Sequence, residues 1–334
     1  MFKRIKRNTF LTIAGMASIF IIAMSIIVGL VGSDFIRNDF IRTVSKIAEI
    51  ETSSLNIFLQ NIQNDLYRLK EDTDIITYTN DGSAYFEGRS KINAFSTLKG
   101  SDILGTSYYT ISTSFNPIYS NEIGGGPSFS SIILDDSVST FVENDDMESI
   151  LLIRYTGIAN SYDSVHLDPS FGMLSFLMKV KTPANNMGLL VADLNSNTLY
   201  NQKLDLRKYQ YFSDSLTLLK GGDGFLRPSN LEGDYGSSID YPSLKELYEV
   251  QENYYAYAID LRNNCTLIML IPMSNLQDTI LVVITIDVVL SLVLITLALC
   301  AGLFMGRSIQ KPLIRLKNKM VDVEKNRSKN DKLV

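Results

Sequence analysis

Chemistry has few places to reside in this 334-residue chain. His166 is its only histidine, and it sits in Asp163-Ser164-Val165-His166-Leu167-Asp168-Pro169. The loose acids there fall short of the three or four convergent ligands a zinc ion wants, so His166 reads as a solvated loop residue. Gly124-Gly125-Gly126-Pro127 lacks the Lys-Ser/Thr pair and the preceding strand of a phosphate-binding loop, and reads as a flexible loop. Asp135, Asp136, Glu143, Asp145, Asp146 and Glu148 do not alternate as calcium ligands do, and read as a solvated acidic surface. Cys265 and Cys300 fall in a soluble and an apolar segment respectively, so no disulfide framework is expected. From these residues we expect no catalytic constellation, no metal site and no cofactor.

Binding chemistry has better candidates. Small-molecule pockets combine aromatic walls with a few convergent polar groups. Arg154 and Tyr155 share one strand-like segment, Lys179 lies in another, Asp163 follows in a loop and Asp193 closes a third. Each also suits plain sheet or surface structure. As a group they point to a pocket on the concave face of a sheet. Asp287 is different: it lies inside the apolar run Ile280 to Met305. Near a bilayer centre an ionisable group costs about 2.5–3.5 kcal/mol, which the surrounding Leu, Ile and Val residues offset. Asp287 reads either as a tolerated polar position in helix contacts or as a group that sets the state of a helix bundle.

The elements that hold these residues follow from hydropathy and period. Phe10 to Gly32 and Ile280 to Met305 are each long enough to cross a bilayer, which needs about 20 apolar residues. Lys3, Arg4, Lys6 and Arg7 precede the first; nine basic residues against three acids follow the second. That leaves 18 of the 31 basic and 33 of the 36 acidic residues between the flanks. Cationic flanks stay in the cytoplasm, so both termini are expected inside and residues 33–278 outside. No small-x-small cleavage site closes the first run, so it reads as a retained anchor. The basic tail lies near an anionic leaflet and serves topology. It has no aromatic interleaving that would suggest nucleic acid.

Between the spans, Phe35 to about Lys70 has no Pro or Gly and reads as one long helix. Ile36, Phe40, Val44 and Ile47 form a stripe, continued by Leu55, Phe58, Ile62, Leu66 and Leu69 after a slip near Glu51. Thr77 to Gly88 is turn-rich, and a second helix is expected over Arg89 to Leu98. Strands are expected over Phe129–Leu134, Ile150–Ile158, Phe171–Lys181 and Met187–Leu194, with a turn at Pro183-Ala184-Asn185-Asn186. A second set covers Ser215–Leu219, Gly224–Leu226, Tyr254–Leu261 and Thr266–Pro272, with turns at Gly221 to Gly224 and at Asn263-Asn264. After the second span, Ile309, Leu313, Leu316, Met320 and Val323 are spaced by four, three, four and three, the seam of a helix that meets a copy of itself. The fold class is α+β.

Three segments carry a resemblance. Phe176 to Val180 with Gly188 to Leu194 is similar to the paired strands that close the distal lobe of a double-Cache sensor. Tyr254 to Tyr257 with Thr266 to Leu276 is similar to the last strands and exit helix of the proximal lobe. Arg307 to Leu316, with Pro312 and Glu324, resembles the first helix of a HAMP linker. Together they resemble the N-terminal half of YesM-type sensor histidine kinases. The chain departs from that pattern in having Lys179 for Arg, Cys265 for Trp, and no Gly close behind Glu324.

The resemblance implies two transmembrane helices flanking an extracytoplasmic double-Cache, meaning two PAS-like lobes on a long N-terminal helix. Its divisions are residues 1–9 cytoplasmic, 10–32 first span, 33–98 stalk and second helix, 99–194 distal lobe, 195–278 proximal lobe, 279–305 second span and 306–334 partial HAMP linker. It implies a bacterial membrane receptor, homodimeric, that detects an extracellular small molecule or envelope component. Asp287, Ile309, Pro312, Leu313, Leu316, Met320, Val323 and Glu324 would relay the signal to a kinase core and response regulator lying beyond this chain, which itself is expected not to be an enzyme. The front of a chemotaxis-type receptor, or a kinase-less protein that damps a full-length partner, is the alternative.

Overall fold

The Pro-free, Gly-poor N-terminal stretch forms α1 (Phe2–Lys70), a continuous helix of 69 residues. The computed structural model describes residues 2–113, 115–120, 126–157, 172–204, 206–221, 224–226, 248–250, 254–261 and 265–330. After α1 come α2 (Thr73–Asp81) and α3 (Tyr85–Lys99), then β1 (Ile103–Thr110) and β2 (Ile118–Tyr119). Next are α4 (Phe129–Ile132), α5 (Asp136–Glu143), β3 (Ser149–Arg154), β4 (Met173–Lys181) and β5 (Met187–Leu194). The short helix α6 (Ser196–Thr198) leads through a π-turn and two 3₁₀ turns, Leu206–Lys208 and Gln210–Phe212. The chain ends with β6 (Leu216–Gly221), β7 (Gly224–Leu226), β8 (Tyr248–Val250), β9 (Tyr254–Asp260), β10 (Cys265–Pro272) and α7 (Met273–Asn330).

The contacts divide the chain into residues 1–39 with 276–334 and residues 40–275. The first unit holds the apolar parts of α1 and α7, the two described helices long and apolar enough to cross a membrane. Their large apolar side chains are exposed, from Met16 to Val31 and from Leu281 to Phe304.

The second unit is built from two five-stranded antiparallel sheets. Their strand orders are β2-β1-β5-β4-β3 and β7-β6-β10-β9-β8, the same order repeated. From Phe40 onward α1 buries Phe40, Val44, Ala48, Leu55, Leu59, Ile62, Leu66 and Leu69. With the buried Glu51 and Thr52 filling the gap between Ala48 and Leu55, the stripe recurs about every 3.6 residues, the pitch of a straight helix. The slip expected near Glu51 is therefore absent: Glu51 and Thr52 continue the buried stripe as polar members. Ala48 and Leu59 take the places expected of Ile47 and Phe58, which are half-buried.

Three local expectations are corrected. Phe129 to Leu134 is not a strand. Ser128 accepts from the Ser131 N–H and starts α4, whose Ile132 is buried while Phe129 lies 5.7 Å from the Tyr109 ring. Part of the turn-rich Thr77–Gly88 stretch is helix, because the Asp72 carboxylate caps α2 through the Asp74 N–H. Gly82 closes α2 at φ +75, where a Cβ would also sit 2.9 Å from the Phe115 ring. The third is β1, an interior strand that apolar runs did not reveal because after Ile103 and Leu104 it continues in Gly, Thr, Ser and Tyr. The β4–β5 hairpin turns as expected, with Asn185 at φ +61 and its N–H donating to the Thr182 carbonyl. Asn263 and Asn264 lie outside the described residues.

Candidate functional site

Strand register fixes which residues of the first sheet share a face, since side chains alternate. Ser175 pairs with Asp193 across β4–β5, and Arg154 pairs with Met173 across β3–β4. This places Arg154, Ser175, Lys179, Asp193 and Tyr109 on one face. The same face carries Leu152, Leu177, Leu189 and Val191, and α4 and α5 cover it with Ile132, Val138, Phe141 and Val142.

Within that apolar cover lies a charged group of three. Arg154 is fully buried. Its Nε donates to Ser175 Oγ at 2.9 Å, its Nη1 to the Thr156 carbonyl at 2.9 Å and its Nη2 to Asp193 Oδ2 at 2.5 Å. Ser175 Oγ donates in turn to Asp193 Oδ1 at 2.5 Å. Two opposite charges so deep persist because they meet each other with further hydrogen bonds around them; removing one partner costs about 3–5 kcal/mol. As arranged, each charge satisfies the other.

Lys179 lies on the same face, about 13 Å further along β4 at the usual rise per residue. Its Nζ donates to the Asn144 carbonyl at the end of α5 at 2.5 Å and stands 4.8 Å over the Phe141 ring. Burial, with Lys181 nearby, holds its ammonium below the ordinary lysine range. Lys179 thus ties the covering helix to the sheet. Two further ties hold the same cover. The Tyr155 N–H donates to Asp135 Oδ2, the N-cap of α5, at 3.2 Å, and the Tyr109 hydroxyl donates to the Pro127 carbonyl at 2.7 Å. Burial pushes the Tyr109 phenol well above its usual range.

Of the five candidate binding residues, Arg154 and Asp193 are in direct contact. Lys179 is on their face but not touching them. Tyr155 is partly exposed and contributes its backbone to the tie of α5. Asp163, like His166, lies outside the described residues. Sequence reasoning missed Ser175, the hinge of the group, and Tyr109. A polar residue alternating among Leu174, Phe176 and Leu177 was the available signal for Ser175.

The relay candidates all lie on α7. Leu316, Met320 and Val323 are exposed in the single chain, as is Pro312. The side chains of Ile309, Leu313 and Glu324 lie outside the described residues. Asp287 accepts a hydrogen bond from the Ser25 hydroxyl of α1. Elsewhere, α1 is tied to the segment between the sheets by Glu51, which accepts from the Tyr209 hydroxyl at 2.7 Å and from Lys208 Nζ at 2.8 Å. Beside Glu51, a groove of about 420 Å³ runs along α1, lined by Glu49, Thr52, Ser53, Asn56, Gln60 and Ile259 among others.

No protein-family model matches the sequence, and no curated protein matches it. In fold, the chain is similar to a domain assigned as the extracellular part of the histidine kinase soHK1S-Z6, with a TM-score of 0.50 and 10% identity, over 73% of this chain and 98% of that one. The ligand-binding domain of Mlp24 with asparagine is similar at a TM-score of 0.47 and 12% identity, over 73% and 98% of the two chains. That of the Pseudomonas aeruginosa PAO1 amino-acid chemoreceptor PctB with L-Arg is similar at 0.47 and 12%, over 71% and 97%. The neighbours in fold are thus extracellular sensor domains of chemoreceptors and histidine kinases. At these identities the likeness speaks for the fold.

Proposed function

We propose that the chain is the sensor portion of a bacterial transmembrane receptor, with residues 33–278 outside the cell and both termini in the cytoplasm. The observation that carries this reading is a sensor-type α+β fold joined at both ends to apolar, membrane-length helices. The repeated strand order supports a double-Cache arrangement, with the β1–β5 lobe distal and the β6–β10 lobe proximal. The exposed seam of Leu316, Met320 and Val323 supports a HAMP-like helix that meets a second copy of the chain in a homodimer.

The ligand site belongs to the face that holds Arg154, Ser175 and Asp193, beneath α4 and α5. A small extracellular molecule that offers an anionic and a donor group would compete for the two ends of that ion pair. Entry would loosen the ties through Lys179, Asp135 and Tyr109. Rearrangement of the lobes would then shift α7, and the HAMP-like helix would repack between two states. These 334 residues would perform sensing without catalysis, and a histidine kinase core would read the output. A chemotaxis-type signalling hairpin reading the output is the alternative.

The test is a thermal-shift screen of the full chain in lipid nanodiscs against small extracellular metabolites. A hit should stabilise the parent and lose its effect in the double variant Arg154→Met with Asp193→Leu, which removes both charges together. A hit unaffected by that variant places the site elsewhere. Labelling of intact cells that found residues 33–278 in the cytoplasm would overturn the receptor reading.

A further inference from the structure

An acid in a membrane span has to find a donor within the protein, because lipid supplies none. Asp287 finds one on the other span, 262 residues away in sequence, where the Ser25 hydroxyl donates to its Oδ2. Both side chains are half-buried, while their neighbours Ile22, Ile26, Ile286 and Val288 are exposed. The helices approach closely beside this bond: a Cβ added at Gly32 would stand 3.9 Å from Val283 Cγ1.

These surroundings leave the carboxylate a single partner level. One helical turn from Ser25, about 5.4 Å along the axis, α1 offers Ile21 and Ile22 in one direction and Val28 and Gly29 in the other. None of these side chains can donate. A shift of α7 by one turn either way leaves Asp287 without a side-chain donor on α1, so the bond distinguishes one axial register from its neighbours.

We propose that Ser25 is a positioning residue whose hydrogen bond to Asp287 selects the resting register of the second span against the first, the register from which a signal has to displace α7. The register itself stands on the helix pair; its link to signalling rests on the receptor reading above.

Disulfide trapping of the full chain in native membranes tests it, with Cys265→Ser and Cys300→Ala as background. Gly32→Cys with Val283→Cys reports the observed register. Gly29→Cys with Val283→Cys and Ile36→Cys with Val283→Cys report the registers one turn to either side. The first pair should dominate in the parent. Ser25→Ala and Asp287→Leu should each move the ratio toward a displaced pair, by about threefold for an average interhelical hydrogen bond and up to about twentyfold for a strong one. Asp287→Asn still accepts from Ser25 and should keep the parent ratio. An unchanged ratio in both Ser25→Ala and Asp287→Leu overturns the proposal. A reporter chimera joined to a kinase core separates the two layers. A moved ratio with unmoved basal output leaves the register assignment standing and removes its link to signalling.

Discussion

The two sheets share a strand order and differ in what they bury. The β1–β5 sheet encloses Arg154, Ser175, Lys179 and Asp193 among its apolar residues. The described residues of the β6–β10 sheet bury Leu218, Ala256, Ala258, Ile268 and Leu270 on one face and Leu219, Tyr257, Leu267 and Met269 on the other, with Thr217 and the Tyr257 hydroxyl as buried polar groups and no buried charge among them. One scaffold therefore serves two physical purposes. A core that keeps two satisfied charges can exchange them for a charged guest, whereas an uncharged core offers mainly contact area. Under the proposed function, recognition belongs to the first sheet and mechanical continuity to the second.

The sharpest way to break this comparison is to strand one charge. Arg154→Met leaves Asp193 buried without its guanidinium and should cost about 3–5 kcal/mol in denaturant unfolding of the full chain. Adding Asp193→Leu should recover most of that loss. If the single and double variants are equally stable, the group is not a buried ion pair in solution. In the second sheet, Leu270→Ala should cost about 3 kcal/mol through the cavity it opens. Unlike the arginine variant, it should leave the ligand-induced thermal shift intact.

A smaller effect should come from the strap between the sheets. Tyr209→Phe removes a hydroxyl from the buried Glu51 carboxylate and should cost about 1.5 kcal/mol, read in the same unfolding assay. The smallest concerns Lys179. Its ammonium is depressed by burial, so the unfolded chain holds that proton to higher pH than the folded one. Stability should therefore rise with pH between the lowered folded value and the unfolded value near 10.4. Lys179→Met should lack this rise when unfolding free energies at about pH 8 and about pH 10 are compared with those of the parent. A parallel pH dependence in parent and variant would mean that Lys179 stays solvated.

Much of the architecture was legible before any coordinates. The two membrane-length helices announce themselves by length, hydropathy and charge flanks, because these are properties of each segment by itself. The β4–β5 hairpin is equally local: Asn185 takes the left-handed position that Asn tolerates. β1 is not legible as an apolar run, since Gly105 and Ser107 interrupt it and are held in a strand only between β2 and β5. α4 is ambiguous in sequence because Phe129-Ser130-Ser131-Ile132 is too short to show a period; Ser128 decides for a helix by offering a cap. In the candidate site, residue types nominated Arg154 and Asp193, but nothing in the pattern joined them or supplied Ser175.

By itself the sequence determined which segments are long and apolar enough to cross a membrane, which segment is the long helix, and the α+β class, all consequences of periodicity and charge within a few turns of chain. The tertiary structure decided the partners. Arg154 reaches Asp193 across β4, and Asp287 reaches Ser25 across two helices. Such pairs depend on strand register and helix level, where a slip of one residue or one turn exchanges every neighbour. That register is set by the summed burial of many side chains, and no local window of sequence contains it.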